Sequence, residues 1–217
     1  MKDEDDSTAL HCAAKHGHIH IVGWILNNYS DDVDSVCETD RTPTSYAART
    51  GSQALLQLKH GHIDVNAQTK KGFTALHYAV EQGHIDIVRL LLSRNSIDVN
   101  LRANREYTPL HVAIIEGRVE VTSLLLTHSK VQLNAQDCNG YTPLHRTVGV
   151  CSVRALRLLL TRDDVRIDVK DKSGRNALEW AMSRPHAEIT KFLQDAVASR
   201  KAQELELTLG VTDRNET

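Results

Sequence analysis

Apolar and polar positions follow a recurring pattern along this chain, and the pattern predicts pairs of short helices joined by polar turns. In the segment that begins at Thr74, a first apolar stretch ends near Gly83. Apolar residues then return at helical spacing, for example at Ile85, Val88 and Leu91. An extended stretch and a polar loop lead to the next such segment. The pattern therefore predicts a unit of helix, turn, helix and extended loop.

This unit occurs six times in the chain. Four copies are close variants of one string: TALHCAAKHGHIHIVGWIL, TALHYAVEQGHIDIVRLLL, TPLHVAIIEGRVEVTSLLL and TPLHRTVGVCSVRALRLLL. Two weaker copies begin TPTSYAARTG and NALEWAMSRP. The six first residues, spaced by 34, 32, 34, 34 and 34 residues, are Thr8, Thr42, Thr74, Thr108, Thr142 and Asn176. Self-similarity at a fixed period is the signature of a repeat protein.

Local residue choices agree with these helix boundaries. The leading threonine can accept a hydrogen bond from a backbone N–H that has no partner within the helix. Proline follows it directly in three repeats, where the missing N–H costs nothing. A glycine lies nine residues after the threonine in four repeats, where a left-handed helix end favours it: Gly17, Gly51, Gly83 and Gly117.

These residues resemble the ankyrin repeat, whose signature is a period of about 33 residues with T-P-L-H-x-A. The resemblance covers roughly residues 7–195. It implies an all-α solenoid of six stacked helix-turn-helix repeats, with β-hairpin fingers and a concave face made of fingers and first helices. We expect residues 1–6 to be an acidic lead. We expect residues 196–217 to be a helix end and polar tail, frayed beyond about Arg200.

Some repeats depart from the pattern. The repeat beginning at Thr42 is two residues short and has Thr44 and Ser45 where its neighbours have Leu and His, so we expect a shorter second helix and a weaker stack there. In the last two repeats, Cys151 and Pro185 replace the inter-helix glycine. Glu179 replaces the motif histidine in the last repeat.

Composition narrows the classes of function. The formal net charge of −2 lacks the basic surface that nucleic-acid binding needs, so we expect no nucleic-acid partner. No apolar run approaches a membrane span, and the acidic N-terminus does not resemble a signal peptide. We expect a monomer in the cytoplasm or nucleus, with reduced thiols at its four cysteines: Cys12, Cys37, Cys138 and Cys151.

The residue patterns do not predict an enzyme. The chain has no phosphate-binding glycine loop, nucleophile elbow or HExxH motif, and we expect no catalytic residue, cofactor or metal. The resemblance implies a structural role for the motif histidines: His11, His77, His111 and His145. The HGH string occurs at His16 and again at His60, but at different distances from the repeat start, so it does not imply a zinc site.

The main candidate for partner binding is a column of residues that directly precede the repeat starts. Three of the nine aromatic residues lie in it, at Phe73, Tyr107 and Tyr141, and Arg41 and Arg175 extend it. The rings could anchor a partner or pack locally against their own fingers. Neighbouring finger tips and first-helix ends add Lys70, Lys71, Arg105, Glu81, Gln82, Ile115, Glu116 and Val150. We expect the apolar pair in that set, Ile115 and Val150, to be exposed.

The sequence thus predicts a scaffold that binds a protein partner through its concave face. Two alternatives stay open. The stretch LEWAMSRPHAEITKFLQ resembles the closing repeat of inhibitor-of-NF-kappa-B proteins, which implies a regulator of a transcription factor. The chain could also be the substrate-recruiting subunit of a larger enzyme complex such as a ubiquitin ligase.

Two finger asparagines resemble substrates of an animal asparaginyl hydroxylase. Its sites have a leucine eight residues before the target, an acid two before and an aliphatic residue just before. Asn66 and Asn100 fit, whereas Asn134 has Gln132 in place of the acid. We expect modification at Asn66 or Asn100 before Asn134. The same residues also suit the finger itself, where the asparagine is expected to bond within its turn.

Overall fold

The computed structural model describes residues 2–29, 33–54 and 63–212. The chain divides into two compact bodies, an N-terminal body of residues 1–132 and a C-terminal body of residues 133–217. Helices of the N-terminal body are α1 (Ala9–Lys15), α2 (Ile19–Asn28), α3 (Pro43–Thr50), α4 (Ala75–Gln82), α5 (Ile85–Leu92), α6 (Pro109–Ile115) and α7 (Val119–Leu126). Those of the C-terminal body are α8 (Pro143–Gly149), α9 (Val153–Leu160), α10 (Ala177–Met182) and α11 (Ala187–Thr212). None of the described helices is long and apolar enough to cross a membrane.

The first helices begin where the sequence predicts. At α4, the Thr74 hydroxyl accepts the His77 backbone N–H at 3.3 Å, and His77 Nδ1 accepts the Thr74 backbone N–H at 3.2 Å. This reciprocal pair satisfies two N–H groups that the helix itself leaves without acceptors. The same box starts α1, α6 and α8, and an asparagine–glutamate version starts α10.

The two helices of a repeat pack on each other and on the next repeat. In the N-terminal body, α3 lies between α1 and α4, and α6 packs against both α4 and α7. In the C-terminal body, α10 packs against α8 and α11. Fully buried leucines such as Leu76, Leu91 and Leu156 fill the space between the helices. The predicted helical repeat solenoid is confirmed.

The fingers are tight turns rather than paired strands. In the described parts of the chain the β-structure is one isolated bridge, between Lys2 and Thr8. The finger before α4 closes with two backbone bonds, from Thr69 N to Phe73 O at 2.9 Å and from Gly72 N to Thr69 O at 2.7 Å. Its Lys71 carbonyl accepts from Asn104 N of the next finger at 2.7 Å. The finger backbone is therefore hydrogen-bonded to the next finger as well as across its own turn.

Two parts of the array differ from expectation or cannot be compared with it. The second helix of the Thr42 repeat and His60 lie outside the described residues. The last helix does not fray near Arg200 but continues to Thr212. Arg200 explains part of this, because its guanidinium donates to the carbonyl oxygens of Val165 and, at 3.2 Å, Arg162. These bonds hold the helix against the loop that follows α9.

Candidate partner-binding face

The residues of the predicted column are held in place through their backbone. Each supplies the carbonyl that closes its finger, as with Thr69 N to Phe73 O at 2.9 Å and Ala103 N to Tyr107 O at 2.8 Å. A binding face built on such fixed positions loses little conformational entropy when a partner binds.

The motif histidines connect neighbouring repeats to this column. His77 Nε2 donates to Tyr107 O at 3.1 Å, while its Nδ1 accepts the Thr74 N–H. This arrangement needs the neutral ring with the proton on Nε2. The side chain of His77 is fully buried, and burial lowers its pKa from 6.5 to about 4. His11 makes the same bond to Arg41 O at 2.8 Å. The structural role predicted for these histidines is thus seen directly.

The Thr42 repeat lacks this connection. Ser45 stands in the histidine position, and its hydroxyl donates to Thr42 O at 2.9 Å within the same repeat. The buried hydroxyl of Thr44 has no hydrogen-bond partner within the described chain. Helix α3 nevertheless packs against both α1 and α4, and the weaker stacking expected for this repeat stays a prediction.

A cleft of about 480 Å³ lies on the finger-and-first-helix face of the N-terminal body. Its lining, called here the basic cleft, is Arg41, Arg49, Lys71, Phe73, Tyr78, Glu81, Gln82, Glu116 and Arg118. The structure therefore brings together six of the predicted binding residues. It adds Arg49, Tyr78 and Arg118, which the predicted set lacked. Arg118 follows Gly117 as His84 follows Gly83. The repeat register could therefore have placed Arg118 beside the end of a first helix.

Arg41 lies at one end of the basic cleft between two aromatic rings. Its guanidinium carbon is 5.5 Å from the ring centroids of both Tyr46 and Tyr78. Both contacts lie within the range of cation–π attraction. Its Nε is buried and makes no hydrogen bond to any described residue.

The charge of the basic cleft differs from that of the chain. Four of its residues are basic and two are acidic, whereas the whole chain has a net charge of −2. One basic residue, Arg118, donates through Nε to the Glu81 carbonyl at 3.0 Å, which fixes its position beside the cleft. The local excess of positive charge favours a partner segment that carries carboxylates.

The three aromatic residues of the column have different surroundings. Phe73 and Tyr107 are half-buried; the Phe73 ring is 5.3 Å from Tyr78, and the Tyr107 ring is 6.1 Å from His111. Tyr141 stacks on buried Trp180 at 4.7 Å, so its ring is covered by the first helix of the next repeat rather than by its own finger. Phe73 and Tyr107 are the better candidates for anchors.

The remaining predicted residues lie mostly on the surface. Lys70, Arg105 and Glu116 are exposed, as is Val150 at 39%. Arg175 lies 3.8 Å from the buried Asp171 carboxylate.

The prediction that Ile115 is exposed is wrong, because this residue is half-buried. The chain reverses directly after it. The N–H groups of Gly117 and Arg118 bond back to the carbonyls of Ile114 and Ala113 at 3.1 and 2.8 Å. Ile115 is thus the last residue of α6, directly before the chain turns back toward that helix.

An apolar patch along α2 and the residue that follows it was not predicted from the sequence. Ile21, Trp24 and Tyr29 are 50%, 58% and 60% exposed, and the Trp24 and Tyr29 rings lie 5.7 Å apart. The core of the repeat takes Val22 and Ile25 from the same helix. Apolar residues outside this core stripe were the available signal. The outer patch, defined by Ile21, Trp24 and Tyr29, is a second surface to test for binding.

The finger asparagines bond to the next repeat rather than within their own turn, which corrects the expectation. Asn66 donates through Nδ2 to Ser96 O at 2.7 Å, and its Oδ1 accepts Asp98 N–H at 2.9 Å. Asn100 repeats the pattern with Lys130 and Gln132, each at 2.8 Å. Both ends of each amide are engaged, so each asparagine joins two repeats.

Comparison with known proteins agrees with this architecture. A family model described as ankyrin repeats matches residues 1–67, 52–137 and 127–203. Neurogenic locus notch homolog protein 1 of Homo sapiens is 33% identical over 94 residues, which is 43% of this chain and 4% of that protein. Probable E3 ubiquitin-protein ligase XBOS31 of Oryza sativa subsp. japonica is 30% identical over 91 residues, 41% of this chain and 20% of that protein. Alpha-latrocrustotoxin-Lt1a of Latrodectus tredecimguttatus is 29% identical over 94 residues, 42% of this chain and 6% of that protein. The matches span a small part of each relative.

Proposed function

Because this chain belongs to the ankyrin-repeat family, we propose that it is a non-enzymatic module that binds a protein partner through the basic cleft of its N-terminal body. Ankyrin repeats in general mediate protein–protein interaction, which supports the broad statement. The observation that carries the finer one is the convergence of Arg41, Lys71 and Phe73 on one cleft.

The cleft suits a partner segment that combines an acidic side chain with an apolar one. The carboxylate would pair with Arg49 or Lys71, whose side chains are exposed. The apolar side chain would pack on Phe73. Arginine and aromatic residues dominate the binding energy of many interfaces, and here both occur in a backbone held by finger hydrogen bonds.

The setting of this binding is also a proposal. We propose a monomer that acts in the cytoplasm or nucleus, as the sequence suggests. The regulator of a transcription factor and the recruiting subunit of a ubiquitin ligase remain narrower hypotheses about the same face. Each predicts a different partner, a transcription factor in one case and a ligase component in the other.

A charge reversal within the cleft tests the proposal. Lys71→Glu places a negative charge in the cleft, whereas Lys130→Glu makes the same change at an exposed residue that does not line it. Proteins captured from native lysate by the wild type and by both variants are quantified by mass spectrometry. A partner retained by Lys130→Glu and lost with Lys71→Glu is the expected result. Equal capture by both variants would show that the cleft is not the binding site.

A further inference from the structure

A cysteine occupies an unusual backbone position in the C-terminal body. Cys151 lies between α8 and α9, where four other repeats have glycine, and its φ of +55° is in the left-handed region. Its N–H bonds to Val148 O at 3.2 Å, and the next N–H, of Ser152, bonds to Thr147 O at 2.9 Å. These bonds fix the turn and leave the Cys151 side chain exposed to solvent.

A histidine from the following repeat lies against this thiol. The Cys151 sulfur is 3.0 Å from His186 Nε2 and 3.7 Å from Nδ1. His186 directly precedes α11, and its carbonyl accepts Thr190 N–H at 2.9 Å, which fixes its backbone. A nucleophile and a base within hydrogen-bond reach are the basic arrangement of an activated thiol.

Space for a small molecule is present beside the imidazole. An open cleft of about 570 Å³ is lined by Met182, Arg184, Pro185, His186, Ala187 and Thr190. Arg184 is one of these lining residues, so a cation borders the same cleft; its guanidinium carbon lies 4.6 Å from the Trp180 ring centroid. A carbonyl oxygen that gains negative charge during a reaction would be stabilised near it.

We propose that Cys151 and His186 form a nucleophile–base pair that makes Cys151 the site of modification by α,β-unsaturated carbonyl compounds. His186 Nε2 takes the thiol proton, and the sulfur forms a bond to the β-carbon of the electrophile. The carbon–carbon π pair moves toward the carbonyl to give an enolate. The imidazolium then returns the proton to the α-carbon, so the adduct forms without an oxidant or a leaving group.

The other cysteines provide matched comparisons. Cys12 is also exposed, but its sulfur lies 3.9 Å from an Asp3 carboxylate oxygen rather than beside an imidazole. Cys37 is buried, with its sulfur 3.0 Å from the Thr39 hydroxyl. Cys138 is half-buried. The environment of Cys151 therefore differs in kind from those of the other three.

A metal site would be the other use of a cysteine–histidine pair. Within residues 2–29, 33–54 and 63–212, no group of three His, Cys, Asp or Glu side chains is placed to hold a metal ion. Two protein ligands are fewer than stable zinc sites use, which favours the nucleophilic role.

The test uses the full chain with N-ethylmaleimide, an α,β-unsaturated dicarbonyl, at less than one equivalent. Adduct formation at each cysteine is followed by peptide mass spectrometry. At about pH 6.5 we expect Cys151 to react at least about threefold faster than Cys12, because His186 Nε2 lies within reach of the thiol proton and can take it as the sulfur attacks. The ratio should fall toward one at about pH 9.5, where an ordinary exposed thiol needs no neighbouring base to lose its proton.

The variant His186→Gln should remove the advantage of Cys151, whereas His20→Gln, an exposed histidine in the other body, should leave it intact. Retained helicity by circular dichroism shows that each variant is folded. If His186→Gln does not fold, the wild-type protein unfolded in urea takes its place, and the two cysteines should then react at similar rates. Equal rates in the folded wild type, or an advantage that survives His186→Gln or unfolding, would overturn the proposal.

Discussion

The buried ring of His77 predicts a specific dependence of stability on pH. Its folded-state pKa of about 4 lies below the 6.5 of an ordinary histidine, because burial disfavours the charged ring. Between these two values the unfolded chain binds more protons than the folded one. Stability is therefore complete above about pH 6.5 and is lost as pH falls toward 4.

The size of the effect follows from the two pKa values. Lowering the pKa from 6.5 to about 4 corresponds to about 3 kcal/mol, at about 1.4 kcal/mol for each tenfold change in proton affinity. By about pH 5 the loss should be about 2 kcal/mol, because the unfolded chain is then protonated and the folded one is not. His11 and His145 add to the loss in the same direction, since burial lowers the pKa of both.

Urea unfolding followed by circular dichroism tests this with a matched pair of variants. His77→Gln removes the titrating ring and its hydrogen bonds to Thr74 and Tyr107, so it should be less stable than the wild type at about pH 7.5, by about 1–3 kcal/mol. The gap between the two should shrink by about 2 kcal/mol at about pH 5. His20→Gln, at an exposed site on α2, should leave the pH dependence unchanged. A gap that stays constant from neutral pH to about pH 5 would refute a neutral, buried His77.

Two further predictions concern the fingers and the Thr42 repeat. Amides of residues 42–61 should exchange with solvent faster than those of residues 74–126. The reason is that Ser45 bonds within its own repeat, whereas His77 bonds to Tyr107 before the next repeat. Equal protection of the two ranges, measured by hydrogen exchange, would contradict this. Incubation with the asparaginyl hydroxylase should add one oxygen at Asn66 or Asn100 before Asn134, and partial unfolding should speed it, because both ends of each amide are bonded in the folded state. Peptide mass spectrometry that finds modification at Asn134 alone, or none where a control ankyrin protein is modified, would contradict that prediction.

Much of the fold could be predicted because the same sequence pattern recurs in several repeats. The threonine, histidine and glycine positions recur in register, and each has a local physical role that the structure shows, such as the box between Thr74 and His77. The finger turns were harder to predict. Their backbone bonds reach the next repeat, as from Asn104 N to Lys71 O, and such a contact between neighbouring repeats has no local signal.

The candidate site was predictable in part for the same reason. Register placed Phe73, Glu81 and Glu116 on one face, and the structure brings them to one cleft. Register could not show that Tyr141 stacks on Trp180, or that Arg41 lies between Tyr46 and Tyr78. These contacts depend on side-chain directions in neighbouring repeats, which the repeat pattern leaves undetermined.

The most direct measurement of the central claim compares two pairs of aromatic residues in binding to the captured partner. One variant carries Phe73→Ala and Tyr107→Ala on the finger-and-first-helix face, and the other carries Trp24→Ala and Tyr29→Ala on the outer patch. Calorimetry gives the affinity of each, with helicity as the check on folding. The account predicts that the first variant loses about 30-fold or more, the equivalent of about 2 kcal/mol, and that the second binds like the wild type. A folded first variant with wild-type affinity, or a loss confined to the outer-patch variant, would contradict it.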